Sequence, residues 1–118
     1  MKRVILANNS RLLSEMFQRV IDKAEQLEVV QALIDNQDLP LAIQRFCPAW
    51  VIVSLPISAP VLSWISTFMQ EDASVRFIFL SPANRSMIMK WQMAPEQDLS
   101  NLSLKEFIHL LEKDPQHI

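Results

Sequence analysis

The sequence predicts an α/β protein: a three-layer αβα sandwich around a five-stranded parallel sheet of strand order 2-1-3-4-5. Apolar, β-branched runs alternate with amphipathic stretches in segments of about 20 residues. Such alternation is typical of parallel strands joined by helical crossovers, which cover both faces of the sheet. The chain has 118 residues, of which 50% are hydrophobic and 20% are charged, so we expect residues 1–118 to form one globular domain.

Five segments have the character of strands. The first four are short, rich in apolar and β-branched residues and bounded by polar turns, and the fifth is a short candidate strand. They are residues 4–7, 28–34, 50–53, 75–80 and 97–100. Because the first four of these segments are almost continuously apolar, we expect a sheet that is buried on both faces.

Five segments between and after these strands have helical character. They are residues 11–24, 38–46, 61–68, 84–93 and 104–111. The helix predicted over 84–93 is weakly amphipathic, because its apolar residues fall on more than one side. The last helix has a clean apolar stripe, and Ser103 with Glu106 three residues later forms the sequence pattern of a capping box.

Composition excludes several kinds of site. The chain has no glycine, so phosphate-binding loops that depend on glycine are absent. A single cysteine, Cys47, and two histidines allow neither an internal disulfide nor a Cys or His metal cage. A net charge of −2 does not favour nucleic-acid binding, and no apolar run is long enough to span a membrane. We therefore expect a cytoplasmic protein without metal or cofactor.

Polar residues follow the predicted strands at the sheet edge where parallel α/β folds carry their functional crevice. They are Asn8, Asn9, Ser54, Ser81 and Ser100. All five are uncharged. They cannot replace the anionic oxygen ligands that magnesium prefers, and they supply no nucleophile with an adjacent base. We therefore expect that the protein is not an enzyme.

The layout resembles the receiver domain of bacterial two-component response regulators, the CheY-like family, over essentially the whole chain. Receivers carry an acidic pair after the first strand, a phospho-accepting Asp after the third, a Ser or Thr after the fourth and a Lys after the fifth. Residues 4–9, Val-Ile-Leu-Ala-Asn-Asn, occupy the place of the acidic pair. The segment 48–54 is similar to the one that leads to the phosphoryl acceptor, with Ser54 at that position.

The same resemblance places Ser81 at the conserved hydroxyl and Ser100 at the lysine. Gln97 stands where the family has its switch aromatic, three residues before the lysine. Only Ser81 retains a residue type that suits the family. The resemblance therefore implies a degenerate receiver, or pseudo-receiver, that is not phosphorylated at the usual aspartate and acts as a protein-interaction module in bacterial signalling.

A set of apolar and polar residues near the C-terminus is predicted to contact a partner protein or a second copy of the chain. In receivers the face built from helix four, strand five and helix five serves this purpose. The residues that we assign to it are Met87, Met89, Trp91, Met93, Gln97, Leu102 and Leu110. Clustered Met and Trp suit an adaptable contact surface. The competing interpretation is that a tilted or irregular helix buries most of them.

The strand-end residues also have two interpretations. Asn8, Ser54, Ser81 and Ser100 can simply bond one another and the loop backbone in a disused active site. They can instead line a crevice that binds a small polar ligand, which is the alternative function that the sequence leaves open.

Overall fold

The computed structural model describes residues 2–8, 10–72, 74–81, 86–90 and 96–112. Within these ranges the chain forms six strands, four α-helices and one short 3-10 helix. In chain order they are β1 (Lys2–Ala7), α1 (Arg11–Asp22), β2 (Leu27–Leu33), the 3-10 helix (Asn36–Asp38), α2 (Leu39–Phe46), β3 (Trp50–Ser54), α3 (Ala59–Glu71), β4 (Arg76–Ser81), β5 (Ser86–Lys90), β6 (Gln97–Asp98) and α4 (Leu104–Glu112).

All six strands belong to one sheet of order β2-β1-β3-β4-β5-β6. The first four strands pair in parallel, in the predicted order. The sheet differs from the prediction at the edge beyond β4. β5 pairs antiparallel to both β4 and β6, so the sheet is mixed and has six strands where five parallel ones were predicted.

The additional strand occupies part of the segment that the sequence analysis predicted to be a helix, residues 84–93. Within it, Met87 pairs with Leu80 and Met89 pairs with Ile78 of β4. β4 is almost entirely buried and would otherwise leave a free hydrogen-bonding edge. Satisfying that edge outweighs the favourable helix propensity of Met and Lys, so the prediction of a fourth helix here was wrong.

Helices cover both faces of the sheet, which confirms the three-layer arrangement. On one face α1 and α4 enclose a core that includes Phe17, Ile52 and Phe107. The Phe17 and Phe107 rings lie 5.9 Å apart, centroid to centroid. On the other face α2 and α3 enclose a second core around Ile43 and Ile65. None of the described helices has the length and apolar character that a transmembrane span requires.

Capping residues fix where the helices begin and end. The Ser10 hydroxyl accepts a hydrogen bond from the Leu13 N–H at the start of α1. At the start of α4, Ser103 N–H donates to the Glu106 carboxylate at 3.0 Å, and Glu106 N–H donates to the Ser103 hydroxyl at 3.1 Å. This confirms the predicted capping box. At the end of α2, Cys47 adopts the left-handed conformation with φ of 47°.

Candidate functional site

Three of the five predicted strand-end residues lie side by side. Asn8, Ser54 and Ser81 follow or end β1, β3 and β4, which are consecutive strands of the sheet. Because neighbouring strands lie about 4.8 Å apart, these residues span only about 10 Å along one edge. We call this edge the carboxyl end of the sheet, because β1 to β4 all finish there. Asn9, also assigned to the site, lies outside the described residues.

Asn8 is the most unusual residue of the edge. It is fully buried, and its backbone N–H donates to the Leu33 carbonyl at 3.1 Å. Within the described chain, neither its side-chain amide nitrogen nor its side-chain oxygen has a hydrogen-bond partner. A buried polar group left in this condition costs on the order of 1–3 kcal/mol. Buried polar groups are normally hydrogen-bonded, so this amide has the capacity to bind a further polar group.

Ser54 and Ser81 stand beside Asn8 in different environments. Ser54 is 2% exposed, and it is the last residue of a strand that is buried along its whole length. The chain immediately after it is held to the neighbouring strand, since Leu55 N–H donates to the Leu80 carbonyl at 2.7 Å. Ser81 is only partly buried and lies opposite Ser86 of β5. The buried part of the edge is thus made of neutral hydroxyl and amide groups.

Ser100 does not join this group, which corrects its assignment to the crevice. It follows β6, and β5 separates β6 from β4. Ser100 therefore lies about two strand spacings, or about 10 Å, beyond the end of β4. Its hydroxyl accepts a hydrogen bond from Met87 N–H at 2.9 Å, and its own N–H donates to the Asp98 carboxylate at 2.9 Å.

The Ser100 side chain thus links β5 to the turn after β6. Its hydroxyl and N–H both donate to Asp98, and these two bonds hold the pKa of the Asp98 carboxyl below its ordinary value of 3.8. Ser100 therefore bonds to Met87 and Asp98 at the edge of the sheet. It does not lie in the crevice, where the resemblance to receivers had put it.

The residues near the edge do not fit the magnesium site that receivers carry. A divalent cation of this kind is held by carboxylates, but the buried positions are occupied by an asparagine and a serine. Among the described residues no group of three or more His, Cys, Asp or Glu side chains is placed to hold a metal ion. As far as the structure describes it, the crevice therefore offers neutral hydrogen-bonding groups and no anionic ligand set.

The predicted partner face is not present in the form that the sequence suggested. Met89 is 5% exposed and belongs to the core between the sheet and α1 and α4. Met87, Leu102 and Leu110 are partly buried and pack against the same core. Gln97 is exposed on the edge strand β6. Two further members, Trp91 and Met93, lie outside the described residues.

The physical reason is the change from helix to strand in this segment. Met87 and Met89 are two residues apart, so on a strand both point to the same face of the sheet. That face is covered by α1 and α4. The competing interpretation, a tilted or irregular helix, expects most of these side chains to be buried. Met89 is buried and Met87, Leu102 and Leu110 are partly buried, so its expectation about burial is met. Residues 86–90 form a strand, however, and not a helix.

A wide groove lies away from the crevice. Its volume is about 1240 Å³, and it runs between the end of α1, β6 and α4. Apolar residues such as Ala24 and Leu102 line it together with charges of both signs, including Lys23 and Glu112. None of Asn8, Ser54 and Ser81 borders it. The groove is therefore a feature of the α1 and α4 surface and does not extend the strand-end site.

Comparisons with known proteins give structural matches but no sequence matches. No protein-family model matches the chain, and no curated protein matches it in sequence. Two of the similar solved structures are the isolated REC domain of RcsB from Salmonella enterica serovar Typhimurium with phosphomimetic BeF3-, and a LuxR-family two-component response regulator from Aurantimonas sp. SI85-9A1.

Both structures superpose with a TM-score of 0.58. The first is 17% identical and the match covers 68% of this chain and 61% of that one; the second is 18% identical, with 69% and 59%. The matched region is thus less than two thirds of the length of either protein. Together with the parallel order β2-β1-β3-β4 and helices on both faces, these matches show that the chain has the CheY-like receiver fold, with an antiparallel strand added beside β4.

Proposed function

We propose that this protein is an atypical response-regulator receiver that acts in bacterial signalling as a protein-interaction module independent of phosphorylation. The observation that carries the proposal is the replacement of buried acidic positions by neutral side chains. Asn8 is fully buried and Ser54 is 2% exposed, and neither carries a charge. By the resemblance to receivers, these two residues stand at the positions where that family binds magnesium and accepts the phosphoryl group, and this correspondence is part of the proposal.

The proposed loss of phosphorylation follows from the chemistry of these residues. Magnesium offsets charge on a transferring phosphoryl group, and the carboxylates that hold it in receivers are missing here. The Ser54 hydroxyl is a weak nucleophile unless a base stands beside it. The amide of Asn8 cannot serve as that base. We therefore propose that the protein catalyses no reaction, needs no cofactor and acts in the cytoplasm through binding alone.

The first experiment tests the phosphorylation part of the proposal. We would incubate the protein with acetyl phosphate and Mg²⁺ and measure its intact mass. The expected result is no phosphoryl adduct. A triple variant, Asn8→Asp, Asn9→Asp and Ser54→Asp, is the matched comparison, because it restores the acidic residue types at the three positions. A phosphoryl adduct on the unaltered protein would overturn the proposal.

A second experiment tests the interaction part. Immobilised protein is exposed to lysate of the source organism, with and without acetyl phosphate and Mg²⁺, and captured proteins are identified by mass spectrometry. We expect a signalling protein, such as a kinase or a regulator, to be captured to the same extent under both conditions. Capture that requires the phosphodonor, or no specific capture by folded protein, would contradict a phosphorylation-independent module.

The buried amide of Asn8 favours a second candidate function, a binding module for a small polar ligand. Both polar atoms of its side chain lack a partner in the described chain, next to the buried Ser54. A ligand that binds only the folded state raises its melting temperature. A thermal-shift screen of nucleotides and polar metabolites tests this, with Asn8→Ala as control. Stabilisation that disappears in the variant supports a ligand, and no stabilisation in the screen overturns it.

A further inference from the structure

We draw no further inference here: the strongest candidate, the groove between the end of α1, β6 and α4, is lined by apolar residues together with charges of both signs, and nothing in the structure shows what covers it.

Discussion

The parallel part of the sheet and its antiparallel edge differ in how strongly they are buried. Every residue of β3 is buried, and so are five of the six residues of β4. In β5 only Met89 is buried, and both residues of β6 are exposed. The central strands are therefore held by apolar packing on two faces. The edge depends on backbone pairing with β4 and on the side-chain bonds of Ser100.

This difference explains why the strand-end residues of the parallel part and Ser100 of the antiparallel edge lie in separate places. The carboxyl ends of β1, β3 and β4 are fixed by the most deeply buried strands, so the backbone holds Asn8, Ser54 and Ser81 on adjacent strand ends. The edge has moved Ser100 away from them. Substitutions in the two regions should therefore change the free energy of unfolding by different amounts. The first two substitutions below test whether Trp50 in the central strands and Met89 stabilise the fold as strongly as their burial indicates.

The largest effect is expected at Trp50 in the parallel part. Its ring is 1% exposed, and its indole N–H donates to the Leu111 carbonyl at 3.0 Å, which ties α4 to β3. Trp50→Ala removes the packing and leaves that carbonyl without its partner, so the free energy of unfolding should fall by about 3–5 kcal/mol. Urea denaturation measures it. Trp50→Phe keeps most of the ring and should lose less than half as much; equal losses would contradict the packing argument.

A large effect is also expected at Met89, although it lies on the edge. Because the side chain is 5% exposed in the core under α1 and α4, Met89→Glu buries a carboxylate and should lower the free energy of unfolding by about 3 kcal/mol. The sequence analysis placed Met89 on a binding surface, where this change would leave the fold intact. Gln97→Glu is the matched control, since Gln97 pairs with Met89 and is exposed. A native-like melting temperature for Met89→Glu would restore the original interpretation.

A stabilising change is expected at the end of α2. Cys47 is the one residue with positive φ in the described part of the chain, at 47°, in a position where helices usually place glycine. Because a side chain disfavours this conformation, Cys47→Gly should raise the free energy of unfolding by about 0.5–1 kcal/mol. Cys47→Ala retains the Cβ atom and should change it little. Thermal and urea unfolding compare the three proteins, and a destabilised glycine variant would argue against strain at this residue.

The smallest effect concerns acid stability at the edge and at the start of α4. Bonds from Ser100 lower the pKa of Asp98 below 3.8, and bonds from Ser103 lower the pKa of Glu106 below 4.5. Because each pKa is lower in the folded state, each group stabilises the fold above its unfolded pKa. That stabilisation is lost as the pH falls through the folded value. Both groups are on the surface, so we expect a small effect.

Urea midpoints at about pH 6 and about pH 3 measure this acid sensitivity. Asp98→Asn should lose less stability between the two conditions than the unaltered protein, since its side chain has no charge to neutralise. Glu71→Gln is the control, because Glu71 is exposed and makes no described bond to a cap or turn. An Asp98→Asn variant with the same acid sensitivity as the unaltered protein would mean that the Ser100 bonds do not stabilise the edge.

Much of the fold could be predicted from local sequence. The runs around Val4, Trp50 and Phe77 are apolar on both sides of the strand, which is the pattern of a central parallel strand. The Ser103 and Glu106 pair marks the start of α4, and the stripe containing Phe107 and Leu111 marks its buried face. These features depend on residues that are close in sequence, so a single sequence is enough to predict them.

Part of the failure at residues 84–93 was avoidable. Residues 86–90, Ser-Met-Ile-Met-Lys, are a short apolar run with a polar residue at each end, which suits a buried strand as well as a helix. The run covers only five residues, and Met and Lys favour helices. Residues 86–90 become a strand and not a helix because they pair with the free edge of β4. The position of β4 in the sheet is set by residues that are distant in sequence, so local sequence does not reveal this pairing.

The sequence by itself determined the αβα layers, the order of the first four strands and the neutral residues at their ends, because periodicity and turn residues are local properties. The tertiary structure decided the sixth strand, the separation of Ser100 from the crevice and the burial of Met89. Each of these depends on which distant segments pair or pack together. Pairing and packing are properties of the folded chain as a whole.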